Sequence, residues 1–328
     1  MKEQILRNTD LRVSSICLGT ASFGEYLNQN QAFELLDEYV RKGGNFLDTA
    51  NIYCRWIPGL GNCSEQIVGA WLKARSAYQN VVVATKGGHY WFGDRQGVSR
   101  VNEVDIRIDL EDSMRTLGVD TIDFYWLHRD DEKKPIEEII DILEKLRKEG
   151  KIRYYGLSNY RAERLDKAKQ YLEEQGLSGP YAVSNQWSMA SINMGGNIDT
   201  DPTLVEVREK EYQWHVKTKT PLIPFSATAM GWFEKMRRAG VEVHDGNVLE
   251  IKRPELLSED MKKAFWNNDN LQKYEKLLDL QKRTGYSLQA LSIAYLLQQP
   301  FQVIPVCGAK NKEQLEGIME AVKIDEII

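Results

Sequence analysis

The sequence predicts an α/β fold, a (β/α)8 barrel, and three observations carry that reading. Eight short β-rich runs, SSICLG, NFLDT, VVVAT, DFYWL, YYGLS, AVSNQ, PLIPFS and QVIPV, alternate with amphipathic segments along the chain. Consecutive apolar residues such as ICL, FL, VVVA, FYWL and VIPV lie within them, as suits strands covered on both faces. An open doubly wound sheet needs a glycine-rich fingerprint after its first strand, and the chain instead reads GTASFG after Leu18. At 328 residues the length suits one barrel, so residues 1–328 read as a single domain.

The elements follow in order. ILRNTDLRVSSI reads as an N-terminal β-hairpin turning at Asn8-Thr9-Asp10, placed to plug the barrel floor. In DIRIDLEDSMRTLG, Ile106, Leu110, Met114 and Leu117 share one helix face, and Gly118 ends the helix. In PIEEIIDILEKLRKEG, Pro135 suits the first turn, while Ile136, Ile139, Ile140, Leu143 and Leu146 form the apolar face. Basic residues fill its last turn and Gly150 stops it. Two stretches exceed ordinary connections, residues 188–201 and about 227–257. They are the long loops after strands 6 and 7 of the barrel, and they are expected to hang over its active face.

Composition narrows the function. Hydrophobic residues make up 42%, charged residues 28%, and the net charge of -5 offers no basic face to nucleic acid or to an anionic membrane. The start, MKEQILRNTDLRVSSICLG, lacks the apolar run of a signal peptide and no later stretch is long enough to span a bilayer, so a cytoplasmic location is expected. Cys17, Cys54, Cys63 and Cys307 have no CxxC spacing, which predicts reduced thiols and no metal site.

Four segments end an apolar strand in a reactive residue: FLDTANIY, VVVATKGG, DFYWLH and YYGLSN. The first three place Asp48, Tyr53, Lys86 and His128 at or just past strand carboxyl ends, where a barrel gathers its chemistry. Singly, each has an ordinary reading: a turn cap, a packed aromatic, a surface charge, a core histidine. Together they describe a proton donor. A tyrosine, with a pKa of about 10, needs a cation to favour its phenolate, and Lys86 is placed to supply it. Asp48 would hold that lysine charged, and His128 would orient a carbonyl oxygen.

With FLDTANIY, VVVATKGG, DFYWLHRD, GLSN, SNQWS and VIPVCGAKNKEQL in this order, the chain resembles the aldo-keto reductase superfamily from about residue 3 to residue 322. The resemblance implies a catalytic tetrad of Asp48, Tyr53, Lys86 and His128 and a reversible, NADPH-dependent carbonyl reduction in which cofactor binds first. It further implies cofactor contacts from Gly19 and Thr20 after the first barrel strand, and nicotinamide carboxamide contacts from Ser158, Asn159 and Gln186. Phe225 would stack on the nicotinamide where relatives more often carry tyrosine, and Ser226 would meet the pyrophosphate. Gly308 and Lys310 fall where relatives hold the adenosine 2'-phosphate, and Gln314 where they touch adenine or ribose. Gly317 and Ile318 replace the usual Glu-Asn, which leaves NAD possible beside NADP.

Trp56 and Trp91, together with His89, Tyr90 and Phe92, are expected to wall the substrate pocket, and Arg129, Asp130 and Asp131 to offer it polar groups. Asn193, Met194, Trp232 and Phe233 would close over it from the long loops. The expected partner is a small-molecule carbonyl, with a sugar- or polyol-derived one slightly favoured. The oligomeric state is left open. Two other functions use the same residues: a Schiff-base lyase through Lys86, and a cofactor-binding regulatory protein similar to potassium-channel β subunits.

Overall fold

The structure, a computed structural model, describes residues 1–91, 97–194, 201 and 203–325. The chain opens with the predicted hairpin, β1 (Glu3–Ile5) paired antiparallel with β2 (Arg12–Ser14). Then come β3 (Cys17–Gly19), α1 (Gln29–Arg41), β4 (Phe46–Asp48), α2 (Cys63–Arg75), β5 (Val82–Gly87), α3 (Glu103–Leu117), β6 (Ile122–Leu127) and α4 (Ile136–Lys148). Next are β7 (Ile152–Ser158), α5 (Ala162–Glu174), β8 (Val183–Ser184), α6 (Glu209–Thr218) and α7 (Trp232–Arg238). A second hairpin, β9 (Val241–His244) with β10 (Asn247–Ile251), precedes α8 (Glu259–Phe265), α9 (Asn268–Thr284), α10 (Leu288–Leu297), β11 (Val306–Cys307) and α11 (Lys312–Met319).

Seven parallel strands form one curled sheet in the order β11-β3-β4-β5-β6-β7-β8. The predicted seventh barrel strand, PLIPFS, closes the ring by backbone bonds to both edges. Val183 N–H donates to the Pro221 carbonyl at 3.0 Å and Ile223 N–H to that of Val183 at 2.8 Å. On the other side Ile304 N–H donates to Leu222 at 3.0 Å and Val306 N–H to Pro224 at 2.9 Å. Pro221 and Pro224 have no N–H to give, so this segment forms isolated bridges rather than a continuous ladder.

The predicted helices form for the predicted reasons. α4 buries Ile136, Ile139, Ile140, Leu143 and Leu146, each side chain contributing about 1.5–3 kcal/mol through burial. Pro135 stands at its N-cap, one position before the first turn. α3 buries Ile106, Leu110, Met114 and Leu117, and Gly118 ends it in the left-handed region with φ 73°. Leu6, Leu11 and Val13 carry the first hairpin into the core at the strands' amino ends. The carboxyl ends are left to polar residues.

Three expectations are corrected. Trp232 and Phe233 are buried in the core at 0% and 4% exposure, so they anchor α7 rather than close over a ligand. Asn193 is occupied in structure, its amide donating to the carbonyls of Lys263 at 2.9 Å and Trp266 at 3.2 Å. Cys54 and Cys63, expected as thiols, are joined in a disulfide with Cα atoms 5.7 Å apart. The nine-residue separation hid the pairing, since only the turn after Tyr53 brings α2 back to it. Cys17 and Cys307 are free and buried. Phe92 lies outside the described residues, as do residues 195–200 of the predicted loop 188–201. Among the described residues no helix is long and apolar enough to cross a membrane.

Candidate active site

Asp48 ends β4 and Lys86 sits in β5, and these parallel neighbours are in register, with Asp48 opposite Ala84. The two side chains point to the same end of the barrel and form a salt bridge in which each is only 3% exposed. Lys86 Nζ also donates to the Thr49 carbonyl at 2.7 Å and to the Tyr53 hydroxyl at 3.1 Å. Burial is the largest influence on Lys86 and pulls its pKa down, but Asp48 and Tyr53 together outweigh it and hold the ammonium above its ordinary value. Lys86 is therefore a fixed cation with three acceptors around it. Tyr53 departs from the simple expectation. Burial pushes its hydroxyl above the ordinary tyrosine value, and the Lys86 charge reduces that shift without reversing it.

His128 follows β6 directly, and its ring lies 6.3 Å from that of Tyr53, nearly perpendicular to it. Burial first, then the charge of Arg129, drives its pKa well below 6.5, so the imidazole is neutral. The structure thus gathers all four predicted residues at one end of the barrel. Backbone conformation marks the same face: Cys54 next to Tyr53, Asn159 and Ser226 are non-glycine residues in the left-handed region, at φ 71°, 65° and 55°. Such residues concentrate at ligand sites when surrounding structure holds them there.

The residues predicted to hold a cofactor continue along this face. Ser158 ends β7 and donates to the Ser184 carbonyl at 2.9 Å. The Asn159 amide donates to the His128 carbonyl at 3.1 Å, and its oxygen accepts from Val205 N–H at 3.1 Å. Gln186 and Phe225 are bridged to one another and both half-buried, and Ser226 is exposed. Gly19 and Gly308 flank the β3–β11 ladder, in which Leu18 lies opposite Cys307. A Cβ on Gly19 would come within 2.9 Å of the Val306 side chain, so any larger residue would have to displace that side chain. The Thr20 hydroxyl is tied inward, to the Asp48 carbonyl at 3.1 Å and Ser64 at 2.8 Å, where it braces the end of β4.

Further out, Lys310 Nζ lies 4.6 Å from the centre of the Tyr26 ring, and Gln314 accepts from the Lys310 N–H at 2.9 Å. Ile318 is buried at 1%, so that position faces the core. Sequence reasoning missed Lys235 on α7. Its Nζ lies 3.1 Å from Met261 Sδ, and its pKa is lowered by burial first and then by the charge of Lys310. The signal available in sequence was a lysine just beyond the glycine of AMGWFEK, but only the fold brings it toward Lys310.

On the substrate side, Trp56 packs edge-on to Tyr53 with ring centres 6.2 Å apart, and its indole N–H donates to Glu25 at 3.2 Å. Arg129 is 8% exposed and anchored by Thr203 at 2.9 Å, with Asp201 3.6 Å away and the Tyr90 ring beneath it. Trp91 faces elsewhere. It lies between the Arg55 and Arg100 guanidinium groups, 5.4 and 4.1 Å from its ring centre, and lines a cleft with Asp109 and Asp112 of α3. Asp130 is spent on Arg164, bound through two contacts of 2.8 Å.

Comparison with known proteins adds independent findings. The profile of the Aldo/keto reductase family matches residues 15–327. An uncharacterized oxidoreductase of Bacillus subtilis, YrpG, is 28% identical over 331 residues, covering 99% of this chain and 92% of that protein. An aryl-alcohol dehydrogenase of Phanerodontia chrysosporium, named for NADP(+), is 27% identical, covering 98% of this chain and 81% of its own. Among solved structures, the holo form of aldo-keto reductase AKR11C1 from Bacillus halodurans superposes with a TM-score of 0.68 at 25% identity, over 99% of this chain and 91% of its own.

Proposed function

The chain belongs to the aldo/keto reductase family of oxidoreductases, and on that premise we propose that it reduces an aldehyde or ketone to the alcohol, reversibly, with NADPH preferred and Tyr53 as the proton donor. The observation that carries this is the contact of Lys86 Nζ with the Tyr53 hydroxyl at 3.1 Å, made while Lys86 is salt-bridged to Asp48.

The residues fit a nicotinamide dinucleotide. Gln186 is bridged to the half-buried Phe225; Ser226 and Gly308 are exposed, and Lys235 senses the charge of Lys310. These groups suit a flat ring, a pyrophosphate and a terminal phosphate in turn. When bound, the cofactor supplies a hydride to the carbonyl carbon. The protein's part is the proton. In the free protein burial keeps Tyr53 protonated, so the acid is loaded before substrate arrives. As the carbonyl oxygen gains charge, Tyr53 gives up its proton and the phenolate is met by the Lys86 ammonium, which Asp48 has already oriented. His128, neutral and placed across from Tyr53, donates a hydrogen bond to the same oxygen.

The Lys86 ion pair speaks against the lyase alternative. A Schiff base requires a neutral amine, and here the ammonium is held charged by Asp48. The substrate proposal is a carbonyl with one flat face for Trp56 and hydroxyl or other polar groups for the Arg129 side, which covers aryl aldehydes and sugar-derived carbonyls. NADPH oxidation should be followed across aryl aldehydes, short aldehydes, ketoses and sugars. Failure to oxidise either NADPH or NADH with every member, in protein shown to bind cofactor, would overturn the reductase reading in favour of a cofactor-binding regulator.

A further inference from the structure

The backbone of His128 is fixed from three directions. Its N–H donates to Gly87 at 2.9 Å, and its carbonyl accepts from the Asn159 amide at 3.1 Å and from Arg129 at 2.9 Å. Its ring is held differently. A histidine that presents one ring nitrogen to a ligand is ordinarily oriented by a hydrogen bond at the other. Here Nδ1 is buried with no hydrogen-bond partner among the described residues. Other rings take up the space: Tyr53 on one side, and His89 with its ring centre 4.8 Å away at an interplanar angle of 66°.

His89 is itself fixed with some care. Its Nδ1 lies 2.7 Å from the Tyr90 carbonyl oxygen, which can only accept, so Nδ1 carries the proton. The His89 carbonyl accepts from Arg100 at 3.1 Å, and the N–H of Gly88 donates to Asp109 at 2.9 Å. Arg100 and Asp109 are joined by two bonds of 2.8 and 2.7 Å, and both are almost fully buried. A buried, bidentate ion pair clamps the two residues that follow Gly87. The proton-transfer chemistry of the tetrad makes no use of that clamp.

We propose that His89 is a positioning residue for His128, its ring packed against the imidazole in place of the missing hydrogen bond at Nδ1, so that His128 keeps one tautomer and one orientation. The proposal deepens the function proposed above and rests on His128 contacting the substrate oxygen. A charge consequence accompanies it. The charged and titratable groups acting on the two rings include Lys86, Tyr53, Arg129, Arg100, Tyr90 and Asp201, with three cations among them. Burial first and Arg129 second bring His89 down to about 3, and the same two causes hold His128 well below the ordinary histidine value, so both imidazoles are neutral in the intact site. Removing the His89 ring would admit water beside His128 and return its pKa toward the ordinary range.

The test compares His89→Ala with His89→Phe, which restores a packed ring without a titratable nitrogen. For His89→Ala, kcat is expected to fall roughly ten- to a hundredfold through misplacement of His128. NADPH affinity is expected to stay within about twofold, as His89 is not among the residues proposed to hold the cofactor, while the kcat profile gains an acid limb near the ordinary histidine pKa of about 6.5. His89→Phe should recover most of the rate and lose the limb. Equal impairment of both variants, or an Ala variant with unchanged kcat and no limb, would overturn the proposal. A second readout is independent of turnover and of variant folding. The sequence has four histidines, so ring 15N shifts of the wild-type protein can be assigned and followed with pH. His128 should show a single neutral tautomer throughout the range in which an ordinary histidine, with a pKa of about 6.5, titrates; exchange-averaged tautomers or titration near neutrality would sink the idea. If wild-type protein reduces no carbonyl yet His128 shows the fixed tautomer, the function reading fails and the packing role stands.

Discussion

The two ends of the candidate site are built on different physical plans. At the tetrad end, Asp48, Lys86 and His128 are 2%, 2% and 7% exposed and stand at the ends of strands whose register fixes them. At the far end, Ser226, Gly308 and Lys310 are exposed and belong to loops, and Lys235 belongs to the short helix α7. A buried charge is worth holding only if its partners are built in, so Asp48, Lys86 and Tyr53 are bonded to one another before any ligand arrives. The second end carries no ion pair on its lysines among the described residues: Lys310 lies over the Tyr26 ring, Lys235 Nζ meets Met261 Sδ, and the charge of Lys310 lowers the pKa of Lys235.

That difference governs what could be read from sequence. Strand-end residues follow from local rules, because an apolar run dictates a strand and the next residue dictates its end. Asp48, Tyr53, Lys86 and His128 were legible for this reason, as were α3 and α4. Residues whose role depends on how distant loops return were not. Lys235 and the Cys54–Cys63 link are brought into place by tertiary structure alone, as is Trp91 between the Arg55 and Arg100 guanidinium groups. Trp232 and Phe233 misled in the opposite way: aromatic residues in a long loop suggest a lid, but here they supply the apolar anchor the loop needs.

The sharpest attempt to break the contrast is Tyr53→Phe. It removes one oxygen from the bonded end and leaves the exposed end untouched. Turnover should fall by about a thousandfold, within the usual range for a general acid, with NADPH affinity preserved. Stopped-flow or steady-state oxidation of NADPH, paired with fluorescence titration, separates the two. Turnover within a few fold of wild type would remove Tyr53 from the proton step.

A smaller effect is expected from the frame that supports Tyr53. Cys63→Ser opens the ten-residue ring closed by the disulfide, and loop-closure entropy alone gives a loss of roughly 2–3 kcal/mol in stability. Chemical denaturation under non-reducing conditions measures it, and free-thiol counting in denatured wild type establishes the bond. Four reactive thiols instead of two would return Cys54 and Cys63 to the reduced state the sequence first suggested.

Glu65, bonded to the Thr85 that precedes Lys86 in β5, provides a pH probe of the frame behind the tetrad. Its carboxylate accepts from Thr85 at 2.5 Å and Asn62 at 2.9 Å, and burial raises its pKa from 4.5 to about 6. A raised acid pKa means the folded state holds the proton more tightly than the unfolded one. Stability is therefore greatest below the unfolded value and declines as pH rises through about 6, by up to about 2 kcal/mol for this group. Glu65→Gln should flatten that slope between the two values in urea titrations. An unchanged slope would mean that Glu65 does not titrate there.

The mildest perturbation belongs at the exposed end, where it separates the two plans most cleanly. Lys235→Ala and Lys310→Ala should each weaken NADPH binding about tenfold, the loss of one partly solvated charge pair, and leave NADH nearly unaffected. Because these charges lie near solvent, salt should erode the effect: at 0.5 M the Debye length is under about 5 Å and the NADPH preference should shrink. The Tyr53→Phe defect, lying among buried groups, should not respond to salt. There is also a reciprocal sign to check. Lys235 is held below its ordinary pKa by burial and by Lys310, so an anion placed between them should raise it again and take up a proton at alkaline pH. NADPH binding measured by calorimetry near pH 9 in buffers of different ionisation enthalpy reads that uptake directly. Uptake should vanish in Lys235→Ala; persistence of the full signal there would show that the terminal phosphate is held elsewhere, and the exposed end would need a different set of residues.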